Sequence, residues 1–256
     1  MEQALPIGQQ SSAVKVPAVT PVFWVIKIAA TTLGETAGDA VSMSMNLGYL
    51  VGTGIFASIF AGAVAIQISA KQFHPFLYWL TIIATTTVGT TLADFADRSL
   101  GVGYAGGSTI LLFLLLGSLA VWYRTLGTVS VTSVSSPKAE VFYWVTIMFS
   151  QTLGTALGDW TADTEGLGYA GGVVVFVALL GVVVLATYAT RISRVILFWA
   201  AFILTRPLGA VVGDFLDKPV SSGGLALSRY SASGVLLALM VGCIVLFEQR
   251  PAERAH

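Results

Sequence analysis

The sequence predicts an all-α membrane protein with eight transmembrane helices, built as four parallel two-helix repeats. Three observations predict it. Of 256 residues, 55% are hydrophobic and only 10% charged, against about 25% charged in an ordinary soluble domain, so polar side chains are too few to cover a water-soluble globule. Apolar stretches of about 18–25 residues, the length that crosses a bilayer, begin near residues 21, 49, 76, 104, 140, 169, 194 and 230. One residue pattern then returns four times in a fixed register.

The first twenty residues are polar, contain Pro6 and Pro17, and lack the short apolar core and small-residue cleavage site of a cleaved signal peptide. They read as a cytoplasmic segment, 1–20, with the first helix acting as the insertion signal. Residues 21–248 read as one transmembrane domain, with repeats at about 21–70, 76–124, 140–190 and 194–248, followed by a cytoplasmic tail, 249–256. Trp24, Trp79, Trp144 and Trp199 stand 55, 65 and 55 residues apart. Ten residues after each comes Gly34, Gly89, Gly154 or Gly209, and fifteen after each comes Asp39, Asp94, Asp159 or Asp214. A small residue precedes each aspartate: Gly38, Ala93, Gly158 and Gly213. Gly48-Tyr49, Gly103-Tyr104 and Gly168-Tyr169 follow in the same register, while the fourth copy carries an insertion and reaches Tyr230 instead.

Two spans per unit bring every copy into the membrane from one side, so the repeats are parallel about an axis along the membrane normal. The four aspartates then lie at one depth and can converge. Eight basic residues (Lys15, Lys71, Arg124, Lys138, Arg191, Arg194, Arg250 and Arg254) fall on the side of the termini. Three (Arg98, Lys218 and Arg229) fall on the other, which places both termini in the cytoplasm. The tryptophans, preceded by Phe23, Tyr78, Tyr143 and Phe198, read as interfacial belt anchors near the cytoplasmic surface. Each aspartate lies roughly 22 Å farther out, at 1.5 Å per residue.

These four Trp-to-Gly-to-Asp registers carry a resemblance that covers nearly the whole chain. It resembles the bacterial integral membrane proteins built from four tandem repeats of a domain of unknown function, each with two spans and a recurrent Trp. The resemblance implies a bacterial inner-membrane location, this repeat architecture and an association with manganese export. The fourth copy departs most, with Arg206-Pro207 where the others have Thr-Thr or Gln-Thr, and strict fourfold equivalence is loosened there.

Counted from the Trp, positions +7, +11, +15 and +18 share one helical face. They are Thr31, Glu35, Asp39 and Ser42 in the first copy, and Thr86, Thr90, Asp94 and Asp97 in the second. The third gives Gln151, Thr155, Asp159 and Ala162, and the fourth Arg206, Ala210, Asp214 and Asp217. A charged side chain facing lipid costs roughly 2.5 kcal/mol or more, so this oxygen-rich stripe belongs to a protein interior, with the apolar even-numbered helices as outer scaffold. The glycines beside it allow either close helix packing or local unwinding that exposes carbonyls.

Glu35, Asp39, Asp94, Asp159 and Asp214 place five acids at membrane depth, against Lys27 and Arg206. The three negative charges left over would keep protons or bind a cation. Carboxylate, amide and hydroxyl oxygens suit a hard divalent ion or Mn²⁺. The expected ligands are those five acids, supported by Thr31, Thr86, Thr90, Gln151, Thr152, Asn46 and Asp97. Lys27 reads either as snorkelling to the near surface or as a counter-charge to the acids. Arg206 reads as the partner of an aspartate from a neighbouring repeat.

The expected function is a secondary transporter of a divalent metal cation, Mn²⁺ first, exporting it in exchange for protons. The expected partners are the lipid bilayer, the metal cation and protons, with a homo-oligomer left open. A single cysteine, Cys243, and two histidines, His74 and His256, exclude disulfides, thiolate cages and His-rich sites. A formal net charge of zero argues against nucleic acid, and no covalently bound cofactor or P-loop is expected. An intramembrane aspartyl hydrolase is disfavoured because T-A-G-D, T-L-A-D, A-L-G-D and V-V-G-D all lack the first glycine of G-x-G-D, so no enzyme is expected. A non-transporting scaffold or partner subunit is the main alternative, and it would need more deep cations than the stripe offers.

Overall fold

The structure, a computed structural model, describes residues 14–164 and 166–252. Eight long helices dominate these residues: α1 (Pro21–Asp39), α2 (Tyr49–Ser69), α3 (Pro75–Asp94), α4 (Tyr104–Leu126), α5 (Pro137–Asp159), α6 (Gly168–Ala189), α7 (Arg194–Asp217) and α8 (Arg229–Leu246). Local chemistry starts the odd helices well. Pro21, Pro75 and Pro137 open α1, α3 and α5, where a missing N–H costs nothing. The Thr20 and Ser136 hydroxyls accept the Phe23 and Ala139 N–H groups at 3.2 and 3.3 Å. The glycines of the recurrent Gly-Tyr pairs take φ of +77°, +75° and +63° at Gly48, Gly103 and Gly168, a left-handed turn into the even helix that a side chain would strain.

The odd helices form a closed inner ring, with α1 against α3, α3 against α5, α5 against α7 and α7 against α1. Each even helix packs on the first helix of the following repeat: α2 on α3, α4 on α5, α6 on α7, and α8 back on α1. The glycines explain why the ring closes so tightly. A Cβ at Gly34 would overlap Thr86, one at Gly89 would meet Gln151, one at Gly154 would overlap Arg206, and one at Gly209 would overlap Thr31. In every case the +10 glycine of one repeat receives the +7 residue of the next. One turn later Gly38 meets Thr90, Gly158 meets Ala210 and Gly213 meets Glu35. Contacts that advance together along both chains require parallel helices. The recurrent glycines are therefore packing residues, and the inner helices run unbroken through them.

Six helices (α2, α3, α4, α6, α7 and α8) are long and apolar enough to cross a membrane, which makes this a multi-pass membrane protein by length and composition. The expectation of eight spans is thus met for six. Helices α1 and α5 fall short because polar side chains dilute their apolar runs, Lys27, Glu35 and several threonines in α1, and Ser150, Gln151 and several threonines in α5. Most of those side chains are buried. The outer helices are the reverse, with only 11–22% of each spanning window buried, against 72% for α3 and 56% for α7.

Two expectations about the terminus-bearing end are corrected. The tryptophans are not belt anchors. Trp79, Trp144 and Trp199 are 1–4% exposed, and Trp24 is half-buried. Each residue preceding a Trp packs on the Trp of the next repeat: Phe23 on Trp79, Tyr78 on Trp144, Tyr143 on Trp199 and Phe198 on Trp24, with ring centroids 5.4–6.3 Å apart. The Tyr78 and Tyr143 hydroxyls share a 2.6 Å hydrogen bond inside this cluster. The ring geometry turns the aromatic row inward, where burial outweighs an interfacial perch.

The terminal segments are also more than polar tails. Residues 1–13 and 253–256 lie outside the described residues, but Val14, Lys15 and Val16 are buried. Ala18 donates to the Arg250 carbonyl and Ala252 to that of Val16, both at 2.8 Å. The Lys15 ammonium meets the Gln67, Ile68 and Ala70 carbonyls at the end of α2, at 2.8–3.0 Å, and the buried Glu140 carboxylate at 2.6 Å.

Candidate cation site

At the opposite end of the ring, the helix register delivers its acids to the axis. Helices α1, α3 and α5 end on Asp39, Asp94 and Asp159 and continue as single π-helical turns, Ala40–Ser44, Phe95–Ser99 and Trp160–Thr164. Helix α7 runs on to Asp217 as an α-helix. Glu35, Asp39, Asp94, Asp159 and Asp214 are all buried, with exposures of 1–2%. They converge as expected. Glu35, Asp159 and Asp214 each offer a carboxylate oxygen within 4.8 Å of the others, and so do Glu35, Asp39 and Asp94. Asp39, Asp214 and Asp217 form a third such group.

Four side chains of the protein itself neutralise part of this charge. Arg206 lies fully buried on α7, about two turns on the terminal side of Asp214. Its Nη2 donates to Glu35 Oε2 at 3.0 Å, to Thr90 Oγ1 at 2.7 Å and to Thr155 Oγ1. Its partner is the glutamate of the first repeat and not an aspartate: the packing of α7 on α1 sets Gly213 beside Glu35, and the long Arg206 side chain spans the two turns between. Arg98 bridges Asp94 Oδ1 at 2.8 Å and Asp159 Oδ2 at 3.3 Å. Lys218 bridges Asp39 Oδ2 at 2.6 Å and Asp214 Oδ1 at 3.0 Å. Burial opposes the Lys218 charge, but Asp214, Asp39 and Asp217 outweigh it and hold the ammonium above its ordinary pKa. Arg229, from α8, pairs with Asp217 at 2.9 Å and reaches Asp39 at 3.6 Å.

Arg98, Lys218 and Arg229 correct the charge count. Their place between apolar segments reads as an outer loop, yet all three fold back onto the acids. A signal was present for two of them. Arg98 and Lys218 each stand four residues after a repeat aspartate, one helical turn on. Among the described residues, Glu35, Asp39, Asp94, Asp159, Asp214 and Asp217 face Arg98, Arg206, Lys218 and Arg229, which leaves two negative charges and not three. Three of the acids are paired through one oxygen only. Asp39 Oδ1, Asp159 Oδ1 and Asp217 Oδ1 are buried and accept no hydrogen bond among the described residues, whereas Asp214 Oδ1 and Asp94 Oδ1 face Lys218 and Arg98. A buried carboxylate oxygen without a donor is an acceptor in want of a proton or a positive ion.

The supporting residues divide. Thr90 is in place, donating to Glu35 Oε2 at 3.2 Å, and Thr155 stands beside it. Thr31 and Thr86 sit in the ring contacts and spend their hydroxyls on carbonyls of their own and a neighbouring helix. Thr152 donates to the Met148 carbonyl one turn back. Gln151 is buried, its amide unpartnered among the described residues, but it belongs to the Arg206 layer and not to the aspartate layer. Two residues are elsewhere. Asn46 is exposed in the turn before α2, and Asp97 is aimed at Gly107 on α4. Lys27 neither snorkels nor balances the acids. Its ammonium is fully buried 4.2 Å from the Phe202 ring centroid, and three turns of α1 separate it from Asp39.

A family model for a sequence repeat, described as Repeat of Unknown Function (DUF347), matches four times in tandem, at residues 22–73, 77–128, 142–193 and 197–247. No curated protein and no solved structure matches the chain.

Proposed function

The chain belongs to this family of tandem repeats, and on that premise we propose that it is a secondary transporter of a divalent metal cation. Mn²⁺ is the first candidate, exported in exchange for protons. The observation that carries the reading is the convergence of buried carboxylates, several with an oxygen that accepts no hydrogen bond among the described residues, in a cluster that keeps two negative charges after its own cations are counted. One hard divalent ion or two protons would balance that cluster. The proposed setting is a bacterial inner membrane crossed eight times, with both termini in the cytoplasm. Helices α1 and α5 complete the eight because they share the inner ring with α3 and α7 and turn their polar faces to its axis. The eight-to-three distribution of basic residues supports the orientation. We assign the protein no catalysed reaction.

The same ion pairs favour a second reading, a non-transporting scaffold or partner subunit, since Arg98, Arg206, Lys218 and Arg229 supply the deep cations that such a role needs. Flux separates the two. The full chain, purified and reconstituted in vesicles that hold a Mn²⁺-quenched dye, is expected to admit Mn²⁺ faster than protein-free vesicles, and Asp159→Asn is expected to abolish the difference. Equal rates with and without protein would end the transport reading.

A further inference from the structure

We infer that Arg98 and Lys218 fix the valence of the ion that the carboxylate cage accepts. The inference rests on the cation-site reading above and asks what makes that site select two charges.

The repeats are not equivalent where it matters. One turn after the repeat aspartate, the four copies carry Met43, Arg98, Asp163 and Lys218. Only the second and fourth copies supply a cation. Each cation clamps the aspartate of its own repeat to that of the next: Arg98 joins Asp94 to Asp159, and Lys218 joins Asp214 to Asp39. The aspartate layer is thereby divided into two bridged pairs, and the fourfold ring becomes twofold in charge. Asp39 and Asp159 give Oδ2 to the clamp and keep a bare Oδ1. At these two aspartates an incoming ion can use the Oδ1 edge while the clamp keeps Oδ2.

A fixed residue of charge follows. With both clamps in place two negative charges remain. Removing one clamp leaves three, and neutralising one aspartate leaves one. In a buried site, where Coulomb interactions are weakly screened and any unmatched charge is costly, affinity should track the match between that residue and the charge of the ion. Arg98 and Lys218 touch no open route of their own in this scheme. They act by setting the charge that their aspartates present.

The test measures the ratio of Tb³⁺ to Mn²⁺ affinity by titration calorimetry on the full chain in lipid nanodiscs, at one pH and ionic strength. Lys218→Met and Arg98→Met should each raise the ratio at least about tenfold, and Asp214→Asn should lower it by a similar factor. The double variant Asp214→Asn/Lys218→Met, which restores two excess charges, should return within about threefold of the wild-type ratio, and it also serves if a single variant does not fold. Loss of a merely structural residue would weaken both ions alike. Ratios unchanged in the single variants, or a double variant that keeps the shift of either parent, would overturn the inference. Wild-type protein that binds neither ion would instead overturn the cation site beneath it.

Discussion

Glu35→Gln is the sharpest probe of how the inner ring is held. Arg206 is fully buried, and Glu35 is the one carboxylate it touches among the described residues. Neutralising Glu35 leaves a guanidinium in the bundle with the Thr90 and Thr155 hydroxyls and the Thr86 carbonyl as its acceptors. Breaking a buried ion pair from one side costs about 3–5 kcal/mol. The retained acceptors and the relief of repulsion among the neighbouring acids put the expected loss near the lower end, about 3 kcal/mol. For a chain of this size each kcal/mol shifts the melting midpoint by about 2–4 °C, so a drop of about 6–12 °C is expected in a detergent-solubilised thermal melt. Adding Arg206→Met removes the stranded charge. The double variant should recover most of the loss, because an apolar replacement of a buried pair is close to neutral. A Glu35→Gln melt within about 3 °C of wild type, or a double variant less stable than the single, would refute the pairing as the element that fixes α7 on α1.

Further substitutions test the packing. Gly209→Ala drives a methyl into Thr31 on α1 and should cost about 3 kcal/mol by overpacking, whereas Gly62→Ala on α2, with open space around it, should be neutral or stabilising by about 0.5–1 kcal/mol; paired thermal melts distinguish them. Trp79→Ala should cost about 3–5 kcal/mol as a core cavity, and an effect below about 1 kcal/mol would return Trp79 to the interfacial role its sequence position suggests. Lys15→Met strands the buried Glu140 and uncaps the end of α2. Amide hydrogen exchange at residues 14–18 and 249–252 should accelerate at least about tenfold, and unchanged protection would show that the terminal pairing stands without it.

Much of the architecture was legible in the chain because it is written in periodicity. The 55-residue spacing of Trp24 and Trp79, the glycine ten positions on and the aspartate fifteen on fix the repeat, its parallel sense and the convergence of the acids, since equal spacing on parallel helices means equal depth. Composition alone implied lipid around the outside. Which side of a helix a residue ends on, and which neighbour it meets there, depends on how the ring closes. That is why Trp79 and Trp144 proved to be core, why Lys27 sits over Phe202, and why Arg206 pairs with Glu35.

The charge of the site was the quantity least available from the sequence. Arg98, Lys218 and Arg229 lie between apolar segments, and a hydropathy pattern assigns such residues to water. Only when α3 and α7 continue one turn past their aspartates, and α8 packs back on α1, do these cations reach the acids of a second repeat. Depth in a membrane follows from distance along a helix, which the chain spells out residue by residue. Pairing across helices follows from the angle at which four of them meet, and that is settled by glycines and side chains far apart in the sequence acting together.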